Sequence, residues 1–172
     1  MTEDFAHLDD LQSSELFNIE TLYYCEARKC KDAQAYAAGC VMLAAALEAN
    51  LMAMVTICAN HVAACNKLPR GKKKAVKKLL DWNLGELLNV AIELGWLPAG
   101  ETLGADPKDW PIGAHAQVIR MLRNLIHPGR CLKDFTGYQI TADTLTASFK
   151  VLDGVYLHLH AALSDRACKA GQ

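Results

Sequence analysis

Leu16, Ile19, Leu22, Tyr23 and Ala27 recur at spacings of three and four, which predicts an amphipathic helix from about Asp9 to Lys29. Asp32 then reads as the N-cap of a second helix over Ala33 to Ala64. This second segment is apolar on nearly every side, so its expected place is the middle of a bundle. Pro69 and Gly71 interrupt the pattern. A further stripe, Val76, Leu79, Leu80, Leu84, Leu87, Leu88 and Ala91, predicts a third helix from Lys74 to Leu94, ended by Gly95. Residues 97–113 are rich in proline and glycine and predict a long loop, a feature that often carries function. A short fourth helix follows from Ala114 to His127, stopped by Pro128 and Gly129. Thr141 can cap a last helix to about Asp165, with Leu145, Phe149, Leu152, Tyr156, Leu159 and Leu163 as its stripe. No segment shows the alternation of a strand. The expectation is an all-α fold, an antiparallel bundle of about five helices forming a single domain over residues 1–172.

Composition changes this picture little. Apolar residues make up 52% and charged residues 22%, which places the chain among globular proteins and outside the disordered class. The stretch from Tyr36 to Ala59 carries one charge, Glu48, and is long enough to span a bilayer. Its many alanines, with Glu48 and Asn50 near its middle, favour a buried core helix over a membrane span. The acidic opening MTEDFAHLDD is unlike a secretory leader. The seven cysteines, most of them within apolar helical patterns, fit thiols in a reducing compartment, so a cytoplasmic location is expected. A net charge of −1 leaves any electrostatic partner to local clusters.

The segment with the most chemistry is QVIRMLRNLIHPGR, Gln117 to Arg130. On a helix, Val118, Ile119, Leu122, Leu125 and Ile126 share one side, and Arg120, Arg123, Asn124 and His127 the other. Arg120 and His127 would lie roughly 20° apart around the axis, and Arg123 and His127 roughly 40°. Two guanidiniums can hold a phosphate through charge-assisted hydrogen bonds, and an imidazole can move a proton near neutral pH. Asn124 adds a neutral donor and acceptor. That set suits cleavage of RNA by its own 2′-OH, with no metal and no cofactor required. The plainer reading is an amphipathic helix with a solvated polar face and a His-Pro-Gly stop.

This order of elements, an apolar helical pair, a late short helix bearing Arg, Asn and His, and a final helix, resembles the HEPN superfamily of prokaryotic helical domains. The segment LRNLIHPGR is similar to segments of bacterial HEPN-like families, and AAGCVMLAAALEANLMAM in the second helix has the same character. The resemblance implies a HEPN-like bundle and a metal-independent endoribonuclease of the defence or toxin type. It also implies a homodimer that brings two motifs together. Active members carry an Arg followed, after four to six residues, by a His; Arg120 and His127 match with six residues between them. The resemblance then assigns Arg120 to the scissile phosphate and His127 to proton transfer, with Arg123 and Asn124 in support. A polar residue commonly follows that Arg in the family, whereas Met121 follows Arg120 here. The motif is therefore either a long-spaced form or a degenerate one. The alternative is a non-catalytic interaction or ligand-binding module of the same fold, acting through dimerisation or on a protein partner.

Other groups extend or compete with this reading. Lys67, Arg70, Lys72, Lys73, Lys74, Lys77 and Lys78 form a basic run that could track an RNA backbone, with Arg70 and Lys72 to Lys74 at its centre. Such a cluster opposes the dipole of the helix expected to begin at Lys74. Glu48 is an acid in an apolar helix and needs a partner; Arg120 or Arg123 would serve, leaving Glu48 to orient the Arg face. Cys58, His61 and Cys65 share a helical face, but no paired Cys motif completes a metal site, and buried thiols are the favoured reading. His158 and His160, two apart, do not share a face.

Overall fold

The computed structural model describes residues 4–98, 112–124, 127–134, 137 and 139–170. The fold is all-α. Five helices carry its core: α1 (Asp10–Asp32), α2 (Tyr36–Ile57), α4 (Leu84–Glu93), α5 (Ile112–Arg123) and α7 (Ala142–Ala170). Two short helices, α3 (Ala59–Val62) and α6 (Pro128–Asp134), and 3-10 turns at Asp4–Ala6 and Leu79–Asp81 complete the described elements.

Asp9 starts α1 with a capping box: its carboxylate accepts the Gln12 N–H at 2.7 Å, and the Gln12 side chain accepts the Asp9 N–H at 3.1 Å. Asp32 does not cap α2; it is the last residue of α1. Gln34 takes a left-handed conformation (φ 58°), and the N–H groups of Gln34 and Ala35 close back onto the carbonyls of Lys31 and Cys30. This is a Schellman stop built on a residue other than glycine, which is why the sequence conceals it. The short turn folds α2 antiparallel against α1.

α2 is the central helix. It packs on α1, α4, α5 and α7, and Leu43, Leu47, Leu51 and Val55 are essentially inaccessible. Among the described residues it is the one helix long and apolar enough to cross a membrane, and 56% of that apolar window is buried inside the bundle. Gly39 lets α1 and α7 come close to it: a Cβ there would stand 2.7 Å from Leu145 Cδ2 and 3.3 Å from the Cys30 Cβ. The helix ends at Ile57, short of the expected Ala64, because the chain bends at Cys58 into α3.

The third helix begins later than its apolar stripe predicts. Residues 69–77 fold back as a hairpin, with Lys77 N–H on the Pro69 carbonyl, Gly71 N–H on that of Ala75, and one antiparallel bridge between Arg70 and Val76. Lys74 sits in the left-handed region (φ 61°), so it cannot open a helix. α4 instead starts at Leu84, where Asn83 and Glu86 form a second capping box. The lysines are thereby kept out of the first helical turn, and an acid, Glu86, occupies it as the dipole favours. Leu80, expected in the core, is 61% exposed. Gly95 ends α4 as expected (φ 70°), with Trp96 N–H on the Ala91 carbonyl in a Schellman motif. Thr141 caps α7, exchanging hydrogen bonds with Thr144.

Candidate functional site

The helix that carries the Arg-Asn-His segment is shorter than expected. α5 ends at Arg123, Asn124 is in 3-10 conformation, and His127 lies beyond the helix with its N–H on the Asn124 carbonyl at 2.9 Å. Pro128 does not stop this helix; it opens α6, where its missing N–H costs nothing. The spacing expected of a continuous helix from Arg120 to His127 therefore does not apply. Leu125 and Ile126 lie outside the described residues, as does the segment 99–111 of the expected long loop.

The two arginines point to different neighbours. Arg123, the last residue of α5, places Nη1 2.5 Å from Glu48 Oε2 in the middle of α2. Glu48 thus has the basic partner its place in an apolar helix demands, and its side chain is 17% exposed. Arg120 is exposed; its Nε donates to Gln117 Oε1 at 2.8 Å, one turn earlier on α5. Its guanidinium lies over the start of α4, where a Cβ on Gly85 would stand 3.2 Å from Nη1. Ala116, Ile119 and Leu122 anchor α5 in the core. Val118, expected with them, is partly exposed.

Compared with known proteins, the chain matches no family model, no curated protein and no solved structure. What it does has to be read from its own side chains.

The basic hairpin meets α4 at the same end as Arg120. Lys77 Nζ pairs with Glu86 Oε1 at 2.6 Å, and Glu86 is the chain neighbour of Gly85. The Trp82 indole N–H donates to the Lys77 carbonyl at 3.0 Å, and its ring stacks on Phe5. Arg70 is used internally: Nη1 donates to the Lys74 carbonyl at 2.9 Å, which pins the hairpin turn. Lys72, Lys73 and Lys74 stand exposed at that turn. The seven basic residues therefore divide into two that build the hairpin and its base, Arg70 and Lys77, and others left to solvent.

Sequence reasoning overlooked Gln117 and Gly85, which orient Arg120 and make room for it. The signals were present: Gln117 stands three residues before Arg120, and Asn83 three before Glu86 marks the true start of α4. Cys58 and Cys65 are buried, whereas His61 is exposed, so the proposed common face is not kept through the bend. Burial pushes the Cys65 thiol up, which makes it a poorer thiolate ligand.

Proposed function

We propose that this chain is a HEPN-like RNA-handling domain, cytoplasmic and dimeric, that holds a phosphodiester backbone on its basic hairpin and Arg120. Support comes chiefly from one observation: Lys77 and Arg120 flank the start of α4 through the adjacent residues Glu86 and Gly85, so the exposed turn Lys72–Lys74 and an exposed guanidinium belong to one end of the bundle. Backbone phosphates are what such an array recognises.

In this reading His127 carries out metal-independent cleavage. Its imidazole takes the proton of a 2′-hydroxyl, the oxygen attacks the adjacent phosphorus, and the 5′-oxygen leaves with a proton from His127 of a second copy. The products are a 2′,3′-cyclic phosphate and a 5′-hydroxyl. Arg120 neutralises charge on the phosphoryl oxygens. Arg123 supports the site through Glu48, and Asn124 holds the turn that carries His127.

A specific observation favours a second reading, a non-catalytic module acting through dimerisation. Arg123 is already engaged by Glu48, His127 stands off the helix, and Val118 and Met121 leave apolar surface on α5.

The deciding experiment incubates a mixed-sequence RNA with the protein in EDTA at neutral pH, beside His127→Ala and a Lys72/Lys73/Lys74→Ala triple variant. Cleavage lost in His127→Ala with RNA binding kept supports the nuclease. RNA bound without cleavage, and released by the triple change, supports the module. Wild-type protein that binds no RNA at low salt overturns the RNA reading.

A further inference from the structure

α1 carries more apolar surface than α2 covers. Ile19, placed in its core stripe by spacing, is 38% exposed, and Leu22 is 54% exposed. Beside Ile19 an open cleft of ≈ 360 Å³ runs between α1 and α2, walled by Leu16, Ile19, Ala45, Met52 and, from the turn before α4, Leu80. A cleft of this size with mostly apolar walls and a few polar groups is the usual form of a small-molecule site.

The polar groups select the ligand. Glu15, Glu48 and Arg123 all line the cleft, so two carboxylates stand against one guanidinium. Arg123 engages Glu48. Glu15 is exposed and makes no ion pair among the described residues. Gln12, also in the lining, has its Oε1 committed to the Asp9 N–H. Asp9 and Asp10 stand exposed on the same end of α1 and add to the negative potential there. Such a potential draws in cations and repels anions.

We propose that this cleft binds a small amphipathic organic cation, an amine on an apolar body. The body would lie against Ile19, Met52 and Leu80, and the ammonium beside Glu15. This proposal is independent of the RNA reading.

The test follows the Met52 methyl resonance while n-hexylamine, protonated at neutral pH, is titrated into the full chain. A saturable shift at Met52 is expected. Hexanoate, of the same length and opposite charge, is expected to bind about tenfold more weakly or less. Glu15→Gln, a surface change, is expected to weaken hexylamine about threefold. Ala45→Met, which fills the cleft, is expected to remove the Met52 response. No saturable shift in wild type, hexanoate binding as well as the amine, or an unchanged affinity in Glu15→Gln would each overturn the proposal. Since Glu15 is on the surface, that variant keeps the test open even if Ala45→Met disturbs folding.

Discussion

The guanidinium of Arg123 sits 2.5 Å from the carboxylate of Glu48, tying the end of α5 to the middle of α2. Removing either partner leaves the other half-buried and uncompensated. Glu48→Ala and Arg123→Ala are each expected to lower stability by about 1–2 kcal/mol, less than for a fully buried pair because Arg123 remains partly in water. Urea unfolding of both single variants and the double variant measures this. The double variant should lose less than the sum of the singles; simple additivity would show that the pair contributes nothing.

Gly39 stands where α1 and α7 converge on α2. Alanine there gains about 1 kcal/mol of helix propensity, but overpacking a full core costs about 1–3 kcal/mol. A Cβ only 2.7 Å from Leu145 Cδ2, on a side chain with no solvent exposure, makes the second effect the larger. Gly39→Ala is expected to lower the unfolding midpoint, and Leu145→Ala in the same chain should offset part of that loss by making room.

Gln34 holds a backbone conformation that glycine adopts freely (φ 58°). Gln34→Gly is expected to stabilise the protein by about 0.5–1 kcal/mol, since relief of the left-handed strain exceeds the added freedom of the unfolded chain. A higher denaturation midpoint with an unchanged slope is the outcome to look for.

Alkaline pH should destabilise the fold in two stages. Burial raises the Cys40 thiol above its ordinary value of 9.0. Burial, with the nearby Glu20 charge, raises the Tyr156 phenol far above 10.0. Both groups are held neutral in the folded protein while the unfolded chain would ionise them. Their contributions are therefore complete below the unfolded pKa and are lost as pH rises past it. Stability is expected to fall from about pH 9 and more steeply above about pH 10. Tyr156→Phe should flatten the second stage, and Cys40→Ala should reduce the first, to which the buried Cys65 thiol also contributes.

If RNA lies on the basic hairpin, its affinity must depend on salt. Each phosphate contact on a single strand contributes about 0.7 to the slope of log affinity against log salt, so Lys72/Lys73/Lys74→Ala should reduce that slope by about 2. An unchanged slope would remove the hairpin from the interface.

Much of the helical architecture was legible in the sequence, because its causes are local. The start of α1 near Asp9, the Thr141 cap, the Gly95 stop and the apolar character of α2 are each set by residues within a turn or two of one another. The need of Glu48 for a basic partner was legible too, because a charge in an apolar helix must be compensated. The tertiary structure decided what depends on distant chain. Apolar spacing on α1 names the residues of a stripe but not which of them α2 covers, so the cleft beside Ile19 arises only on packing. The stripe from Val76 to Ala91 reads as one helix, yet the Arg70–Val76 bridge and the Lys77–Glu86 pair hold its start in a hairpin, and Leu79 and Leu80 fall in a separate 3-10 turn. Similarly, Arg120 and Arg123 share a polar face on the helical wheel, but Arg123 pairs with Glu48 on α2 whereas Arg120 lies over Gly85 on α4. Helical periodicity reports which side chains prefer to leave water; only the packed bundle supplies the neighbours that accept them.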